Sequence, residues 1–240
     1  MSSTLLTQNQ AQPPTPSDWR SISRTLDHTL LRADATRADV ERLCEQAAHY
    51  GFASVFVAPT HLSMAASILR DTPVRAGTPV GFPLGAALTT VKIFEAEEAL
   101  RIGADELDMV MNVSAMKSGD RGLVEHDIRS VVRLAHEAGA IVKVILETSL
   151  LSLDEKLAAC QIALVAGADY VKTSTGFAGG GATVDDVILM RGVVGHKMGV
   201  KAAGGIRTVA AVMAMLDAGA DRIGTSTAVD IMHELGAPAF

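Results

Sequence analysis

The chain has 240 residues, of which 48% are hydrophobic, 20% charged and only 4% aromatic. This composition excludes disordered, collagen-like and coiled-coil proteins and predicts a core of aliphatic side chains. A formal net charge of −6, with one Trp and two Tyr, also makes a nucleic-acid-binding surface unexpected.

The N-terminal segment differs from the rest of the chain because it is rich in Gln, Pro, Ser and Thr. Such a segment buries little apolar surface, so residues 1–18 are predicted to be a flexible leader and residues 19–240 a single domain. It does not resemble a secretory signal, and no apolar run reaches the ~18 residues needed to cross a bilayer. Cys44 and Cys160 lie far apart with no CxxC neighbour, which favours a reducing cytoplasmic location over a disulfide scaffold.

From Leu26 onward, short runs of β-forming residues alternate with segments of helical periodicity. Thr36 followed by Asp39, with apolar residues behind them at helical spacing, predicts the start of the first long helix. The triplet Gly-Ala-Asp occurs at 103–105, 167–169 and 219–221, each time where a helix is expected to end and a strand to begin.

The alternation predicts eight strands. They are Leu26 to Leu31, Ala53 to Ala58, Val74 to Phe82, Glu106 to Asn112, Ile141 to Glu147, Tyr170 to Thr175, Gly199 to Gly205 and Arg222 to Thr227. Eight strand-plus-helix units predict an α/β fold of the (β/α)8 TIM barrel type, with an open doubly wound sheet as the alternative.

Three of the seven lysines, Lys143, Lys172 and Lys201, fall inside predicted strands. A buried ammonium costs several kcal/mol unless it is paired or neutralised. Lys172 and Lys201 lie on neighbouring strands of the predicted barrel, and a second ammonium ~4 Å away is worth on the order of 4 kcal/mol at an effective dielectric of 20. With partial burial, this repulsion would make Lys172 a nucleophile near neutral pH. The alternative is a structural lysine paired with a carboxylate.

The fourth predicted strand carries Asp108 among apolar residues. Leu107, Met109 and Met111 alternate with Glu106, Asp108, Val110 and Asn112, so the first set is expected to face the helices and the second set the barrel interior. Asp108 is then a candidate general acid or base in the cavity of the lysines. A structural counter-ion for those lysines is an equally open interpretation.

Glycine-rich segments at 176–181, 204–207 and 224–226 follow the last three predicted strands. Barrels commonly bind phosphate in these loops through backbone N–H groups and a helix N-terminus. Arg207 could add a positive charge there, or it could be a surface residue. The seven histidines form no metal-binding spacing, and only His28, beside Asp27 in the first strand, is kept open as a functional residue.

Four segments, residues 26–31, 106–112, 170–177 and 199–207, strongly resemble the deoxyribose-phosphate aldolase family. The resemblance implies a TIM barrel and a class I aldolase that reversibly cleaves 2-deoxy-D-ribose 5-phosphate to acetaldehyde and D-glyceraldehyde 3-phosphate in deoxyribonucleotide catabolism. It implies sugar phosphate and aldehyde as the partners, no metal, no organic cofactor, and a homodimer or homotetramer.

The resemblance also implies roles for individual residues. Lys172 matches the Schiff-base lysine, Lys201 the lysine that perturbs it, and Asp108 the carboxylate that relays protons through water. The implied substrate-binding residues are Asp27, Thr29, Asn112, Thr173 and Thr175. The implied phosphate-binding residues are Gly176, Gly204, Gly205, Arg207, Gly224, Ser226 and Thr227. Phe177 stands where some family members have a lysine, and the chain ends in Phe240 where some have a tyrosine.

Two other functions remain open from the residues alone. One is a Schiff-base aldolase of the same barrel type that acts on another phosphorylated sugar. The other is a non-catalytic barrel that senses a sugar phosphate, although a binding protein has no need of two mutually repelling amines.

Overall fold

The computed structural model describes residues 19–240, so the predicted leader lies outside the described residues. The strands are β1 Leu26–Leu30, β2 Ser54–Val57, β3 Arg75–Val80, β4 Glu106–Val110, β5 Ile141–Ile145, β6 Tyr170–Lys172, β7 Gly199–Ala203 and β8 Arg222–Thr225. The helices are α1 Trp19–Ser23, α2 Arg37–Tyr50, α3 Pro59–Leu69, α4 Thr89–Arg101, α5 Val113–Lys117, α6 Arg121–Glu137, α7 Leu153–Ala166, α8 Val184–Val194, α9 Val209–Asp217 and α10 Ala228–Glu234. A short 3-10 helix spans Thr148–Leu150.

The eight strands are parallel and form a closed barrel in chain order. β1 pairs with β2 on one side and with β8 on the other, so the sheet has no free edge. The predicted (β/α)8 barrel is therefore confirmed, and the open doubly wound sheet is excluded. The predicted strands start within one residue of the observed ones, but they run on by one to three residues because the chain turns into its loops before the β-like sequence ends.

Local signals set the ends of the helices. Thr36 and Asp39 form the predicted capping box at the start of α2. The Gly-Ala-Asp triplets do more than end a helix, because the aspartate of each triplet accepts a backbone N–H from the preceding strand. Asp105 binds the N–H of Ala76, Asp169 that of Val142, and Asp221 that of Val200, at 2.8–2.9 Å. Each triplet thus fastens β3, β5 or β7 to its neighbour at the N-terminal end of the barrel.

The core has two parts, as the alternation in β4 predicts. Leu107 and Met109 belong to the continuous apolar cluster between the strands and the helices, where burial of each such side chain contributes about 1.5–3 kcal/mol. Asp108, between them in sequence, is fully buried in the barrel interior and hydrogen-bonded to lysines. β4 therefore contributes apolar side chains to the layer between the strands and the helices, and a charged side chain to the barrel interior.

Candidate active site

Seven charged side chains from six strands meet inside the barrel, and we call them the ionic layer. They are the cations Lys143, Lys172, Lys201 and Arg222 and the carboxylates Asp27, Glu106 and Asp108. None of these side chains is more than 11% exposed. When all seven are ionised the layer holds four positive charges against three negative ones.

Asp108 lies at the centre of the ionic layer. Lys172 Nζ and Lys201 Nζ each donate to its Oδ2 at 2.7 Å, and Lys143 Nζ donates to its Oδ1 at 3.2 Å. The strand register explains this convergence, because Lys172 pairs directly with Lys201 across β6 and β7, and Asp108 with Lys143 across β4 and β5. The structure therefore brings together the three residues that the sequence selects for catalysis.

The charges around Asp108 determine its protonation. Burial alone would raise the pKa of this carboxyl, but Lys143, Lys172 and Lys201 outweigh burial and hold the pKa well below its usual range. Asp108 is therefore a carboxylate at neutral pH, able to accept a proton or to stabilise a cation beside it.

Lys172 is a cation whose charged form is disfavoured by its surroundings. Burial lowers its pKa to about 8, the Asp108 carboxylate opposes that effect, and Lys201 adds to it. At pH 7, about one tenth of a group with this pKa is the neutral amine. Repulsion by Lys201 is the main cause expected from the sequence, with burial as the remainder, and the order is the reverse. A neutral Lys172 also removes the single unmatched positive charge of the ionic layer.

The remaining contacts of the ionic layer support this central group. Lys201 Nζ lies 2.6 Å from Asp27 Oδ2, and Arg222 Nε donates to Asp27 Oδ1 at 2.7 Å. The ring of Phe56 lies beneath the lysines, with Lys201 Nζ 4.0 Å from its centroid, a favourable distance for a cation over an aromatic face. Arg222 and Phe56 are not among the residues predicted from the sequence, although Arg222 occupies the position on β8 that pairs with Lys201.

A cavity of about 530 Å³ opens above the ionic layer at the C-terminal ends of β1, β6, β7 and β8. Lys172 is the residue of the ionic layer that lines it. The first wall is Thr29 to Ala33, of which Thr29 alone is among the predicted site residues. The other walls are Thr175 to Phe177, Ala203 to Arg207 and Gly224 to Ser226. The buried amine with the lowered pKa therefore faces the cavity.

Most of the predicted phosphate-binding residues line this cavity. They are Gly176, Gly204, Gly205, Arg207, Gly224 and Ser226. Gly204 and Gly205 have φ values of 94° and 81°, which L-residues with a Cβ rarely adopt. Thr227 does not line the cavity, and its hydroxyl lies 3.1 Å from that of Thr225.

The predicted substrate-binding residues divide into two groups. Thr29 and Thr175 line the cavity, whereas Asp27, Thr173 and Asn112 do not. Asp27 lies deeper, in the ionic layer. The Thr173 hydroxyl binds the backbone of Ala203, because the alternation of β6 turns Thr173 away from the side that carries Lys172. Asn112 is only half-buried and caps α5 by accepting the N–H of Ala115, so the expectation of a buried inward-facing group fails there.

His28 and the two cysteines are buried outside the ionic layer and the cavity. His28 points away from the barrel interior, its Nε2 lies 3.2 Å from Gln46 Oε1, and burial lowers its pKa to about 4. Cys44 and Cys160 are free and buried, and burial raises the pKa of both thiols to about 12, so neither is a ready nucleophile.

Residues 19–240 contain no cluster of His, Cys, Asp or Glu suited to a metal ion, and within that range no helix has the length and apolarity to cross a membrane.

Comparison with known proteins agrees with this geometry. Residues 22–233 match the family described as DeoC/LacD family aldolase. The deoxyribose-phosphate aldolase of Aciduliprofundum boonei is 55% identical over 91% of this chain and 98% of its own length. That of a Geobacillus species is 55% identical over 89% and 95%. A structure described as the unique tetrameric structure of deoxyribose phosphate aldolase from Aeropyrum pernix superposes with a TM-score of 0.86 at 35% identity, covering 91% of this chain and 92% of that one.

Proposed function

The chain belongs to the DeoC/LacD family of aldolases, and from this premise we propose that it acts through a Schiff base on Lys172. The enzyme is a lyase that reversibly cleaves 2-deoxy-D-ribose 5-phosphate to acetaldehyde and D-glyceraldehyde 3-phosphate. One observation carries the assignment of the nucleophile: Lys172 combines a pKa lowered to about 8 with a place at the base of the cavity. An amine attacks a carbonyl only in its neutral form.

The reaction follows from this arrangement. The neutral amine of Lys172 adds to the aldehyde carbon C1 of the open-chain sugar, and loss of water gives an iminium ion. Proton removal from the 3-hydroxyl breaks the C2–C3 bond, the aldehyde product leaves, and the bonding electrons remain on the acetaldehyde fragment as an enamine. Protonation at C2 and addition of water then release acetaldehyde and return the lysine.

Asp108 and Lys201 are assigned supporting roles in these steps. The Asp108 carboxylate, 2.7 Å from Lys172 Nζ, stabilises the iminium cation and accepts or returns protons through water. Lys201, bound to the same oxygen, disfavours a second positive charge and so keeps part of Lys172 neutral. Both assignments rest on the distances within the ionic layer.

We also propose that the glycine loops hold the substrate phosphate. Gly204, Gly205 and Gly224 border the cavity together with the exposed Arg207, which provides backbone N–H donors and one positive charge. Thr29 and Thr175 also line this cavity. The phosphate then fixes the sugar so that C1 reaches the amine.

The decisive experiment is reductive trapping. Incubation with acetaldehyde and borohydride, followed by peptide mass mapping, is expected to add a two-carbon group to Lys172. The Lys172→Met variant is the control and should acquire no adduct at another strand lysine. An adduct found only at Lys143 or Lys201 would contradict the assignment.

Two further proposals concern the assembly and the location of the enzyme. Leu88, Val91 and Phe94 are spaced three residues apart at the start of α4 and are all exposed, and the Aeropyrum pernix relative is described as tetrameric. A homodimer or homotetramer would cover this apolar face, and light scattering coupled to gel filtration tests it.

The two free, buried cysteines fit a cytoplasmic location, which cell fractionation tests.

A further inference from the structure

The left-handed backbone of Glu147 is a feature that the reaction does not explain. Glu147 follows β5 and has φ 57° and ψ 61°, and it is the one non-glycine residue with positive φ between residues 19 and 240. Such conformations favour glycine and are found at functional sites, where the surrounding structure fixes them. Here, the flanking N–H groups of Leu146 and Thr148 bind the carbonyl groups of Lys172 and Thr173.

The Glu147 side chain is also unusual, because it is 2% exposed and no ion pair involves it among the described residues. Its Oε2 accepts hydrogen bonds from Thr175 at two points, the backbone N–H at 3.1 Å and the hydroxyl. Its Oε1 is buried without a hydrogen-bond partner in the described part of the chain. A buried carboxylate is costly, but it is a stronger acceptor than a neutral oxygen.

The hydrogen bonds continue from Glu147 to the cavity. The Thr175 hydroxyl that donates to Glu147 also accepts the N–H of Phe177, at 3.1 Å. Thr175, Gly176 and Phe177 form one wall of the cavity, and β6 already ends at Lys172. This wall therefore lies beyond the last strand hydrogen bonds, and Glu147 is the side chain that fastens it to β5.

We propose that Glu147 is a positioning residue that holds the wall formed by Thr175, Gly176 and Phe177 against the phosphate-bearing end of the substrate. The inference rests on the proposed function. It assigns Glu147 a role in binding the far end of the sugar phosphate and none in the chemistry at Lys172, which is held separately by Asp108. Its effect should therefore appear with the phosphorylated substrate and be absent with acetaldehyde alone.

The main variant is Glu147→Gly, because glycine adopts this backbone conformation without strain. We expect KM for 2-deoxyribose 5-phosphate to rise roughly tenfold with kcat little changed, since the wall contributes to binding and positioning. For unphosphorylated 2-deoxyribose, kcat/KM should stay within about twofold, and so should the rate of borohydride trapping of acetaldehyde on Lys172.

Two matched variants separate the hydrogen bond from other effects. Thr175→Val removes the hydroxyl with little change of shape and should reproduce the rise in KM even if Glu147→Gly folds poorly. The double variant should be no worse than the poorer single one, because both remove the same contact. Glu147→Gln keeps an oxygen that can accept both hydrogen bonds, so its KM should stay near that of the unmodified enzyme.

Three results would overturn the inference. An equal loss with both sugars, or slower trapping at Lys172, would mean that Glu147 acts on the catalytic lysine or on the fold. A Glu147→Gln variant as impaired as Glu147→Gly would assign the effect to the negative charge and not to the acceptor. Failure of the proposed function is distinguishable, because the unmodified enzyme would then neither cleave the 5-phosphate nor form an adduct on Lys172.

Discussion

Lys172 and Lys201 share one hydrogen-bond acceptor, since both Nζ atoms lie 2.7 Å from Oδ2 of Asp108. The negative charge of this shared acceptor offsets part of the repulsion between the two ammonium groups and so allows them to lie close together. It also links their charges, because removal of either lysine leaves the oxygen to the other. The protonation of Lys172 therefore depends on Lys201, and this dependence can be measured.

The first prediction concerns the pH dependence of Lys172. The rate of borohydride trapping with acetaldehyde should rise with pH and level off above about 8, where the pKa of Lys172 lies. In Lys201→Met burial still lowers this pKa, but the added effect of the neighbouring cation is gone and Asp108 Oδ2 is left to Lys172, so the midpoint should move to higher pH. Lys197→Met, at an exposed lysine, is the matched control and should leave it unchanged. An unaltered or lower midpoint in Lys201→Met would contradict the coupling.

The second prediction compares two replacements of Lys172. Both Lys172→Arg and Lys172→Met should abolish turnover, since neither supplies a neutral amine. Lowering the pKa from 10.5 to about 8 corresponds to a penalty of roughly 3 kcal/mol on the charged form in the folded protein. Thermal unfolding should thus show Lys172→Met at least as stable as the unmodified protein and Lys172→Arg less stable. A Lys172→Arg variant more stable than Lys172→Met would argue against an unmatched positive charge at position 172.

The lowered pKa of Lys172 also predicts how the free energy of unfolding of the unmodified protein changes with pH. Between pH 8 and 10.5 the folded state binds fewer protons at Lys172 than the unfolded chain does, so this group makes the free energy of unfolding rise with pH across that window. Denaturant titrations of the unmodified protein and Lys172→Met at pH 7.5 and 9.5 isolate this contribution. It should be absent from the variant.

The third prediction concerns the phosphate. Unphosphorylated 2-deoxyribose should be cleaved with a lower kcat/KM than the 5-phosphate. The difference should correspond to a few kcal/mol of transition-state stabilisation, at about 1.4 kcal/mol per tenfold change. Ser226→Asp should reduce this preference, because a carboxylate in the cavity wall repels phosphate while Lys172 is untouched. Phe177→Lys should increase it by adding a cation. Equal kcat/KM for both sugars in the unmodified enzyme would refute the proposed phosphate site.

The fourth prediction concerns the packing of two loops. A Cβ built on Gly181 would lie 2.4 Å from the carbonyl oxygen of Gly204, which also accepts the N–H of Ala182 at 3.0 Å. Gly181→Ala should displace Gly204 and raise KM for the 5-phosphate. Gly192→Ala in α8, where a Cβ meets no atom within 4 Å, is the control, and it should leave KM unchanged and stabilise the fold by up to about 1 kcal/mol. The same KM in both variants would show that the loop contact is unimportant.

The fifth prediction is that exhaustive chelation leaves the activity intact, because the proposed mechanism uses an amine and not a metal ion to activate the carbonyl. Steady-state rates before and after treatment with a strong chelator test it. Loss of activity that zinc restores would require a different chemistry.

The sequence was informative wherever a local pattern decides the structure. The order of the eight strands follows from periodicity and from the repeated glycines, and the three central residues were found because a lysine or an aspartate inside a strand is rare. The outward orientation of the Thr173 side chain could have been predicted from the same alternation, since its neighbour Lys172 faces inward. The pairing of Asp27 with Arg222 could not be found, because it crosses the junction between β1 and β8 and joins residues far apart in the chain. Likewise, the dominance of burial in the pKa of Lys172 depends on how completely the barrel encloses it.

Closure of the barrel completes the ion pairs of the ionic layer. Within residues 19–240, the ion-pair partners of Asp27 on β1 lie on β7 and β8, and Arg222 of β8 is one of the cations that pair with Glu106. A chain in which β8 has not yet docked lacks the arginine that binds both carboxylates, although Asp27 keeps Lys201 and Glu106 keeps Lys143. Docking of β8 therefore supplies one cation to two carboxylates at once, so this ion pairing adds to the strand pairing that closes the barrel.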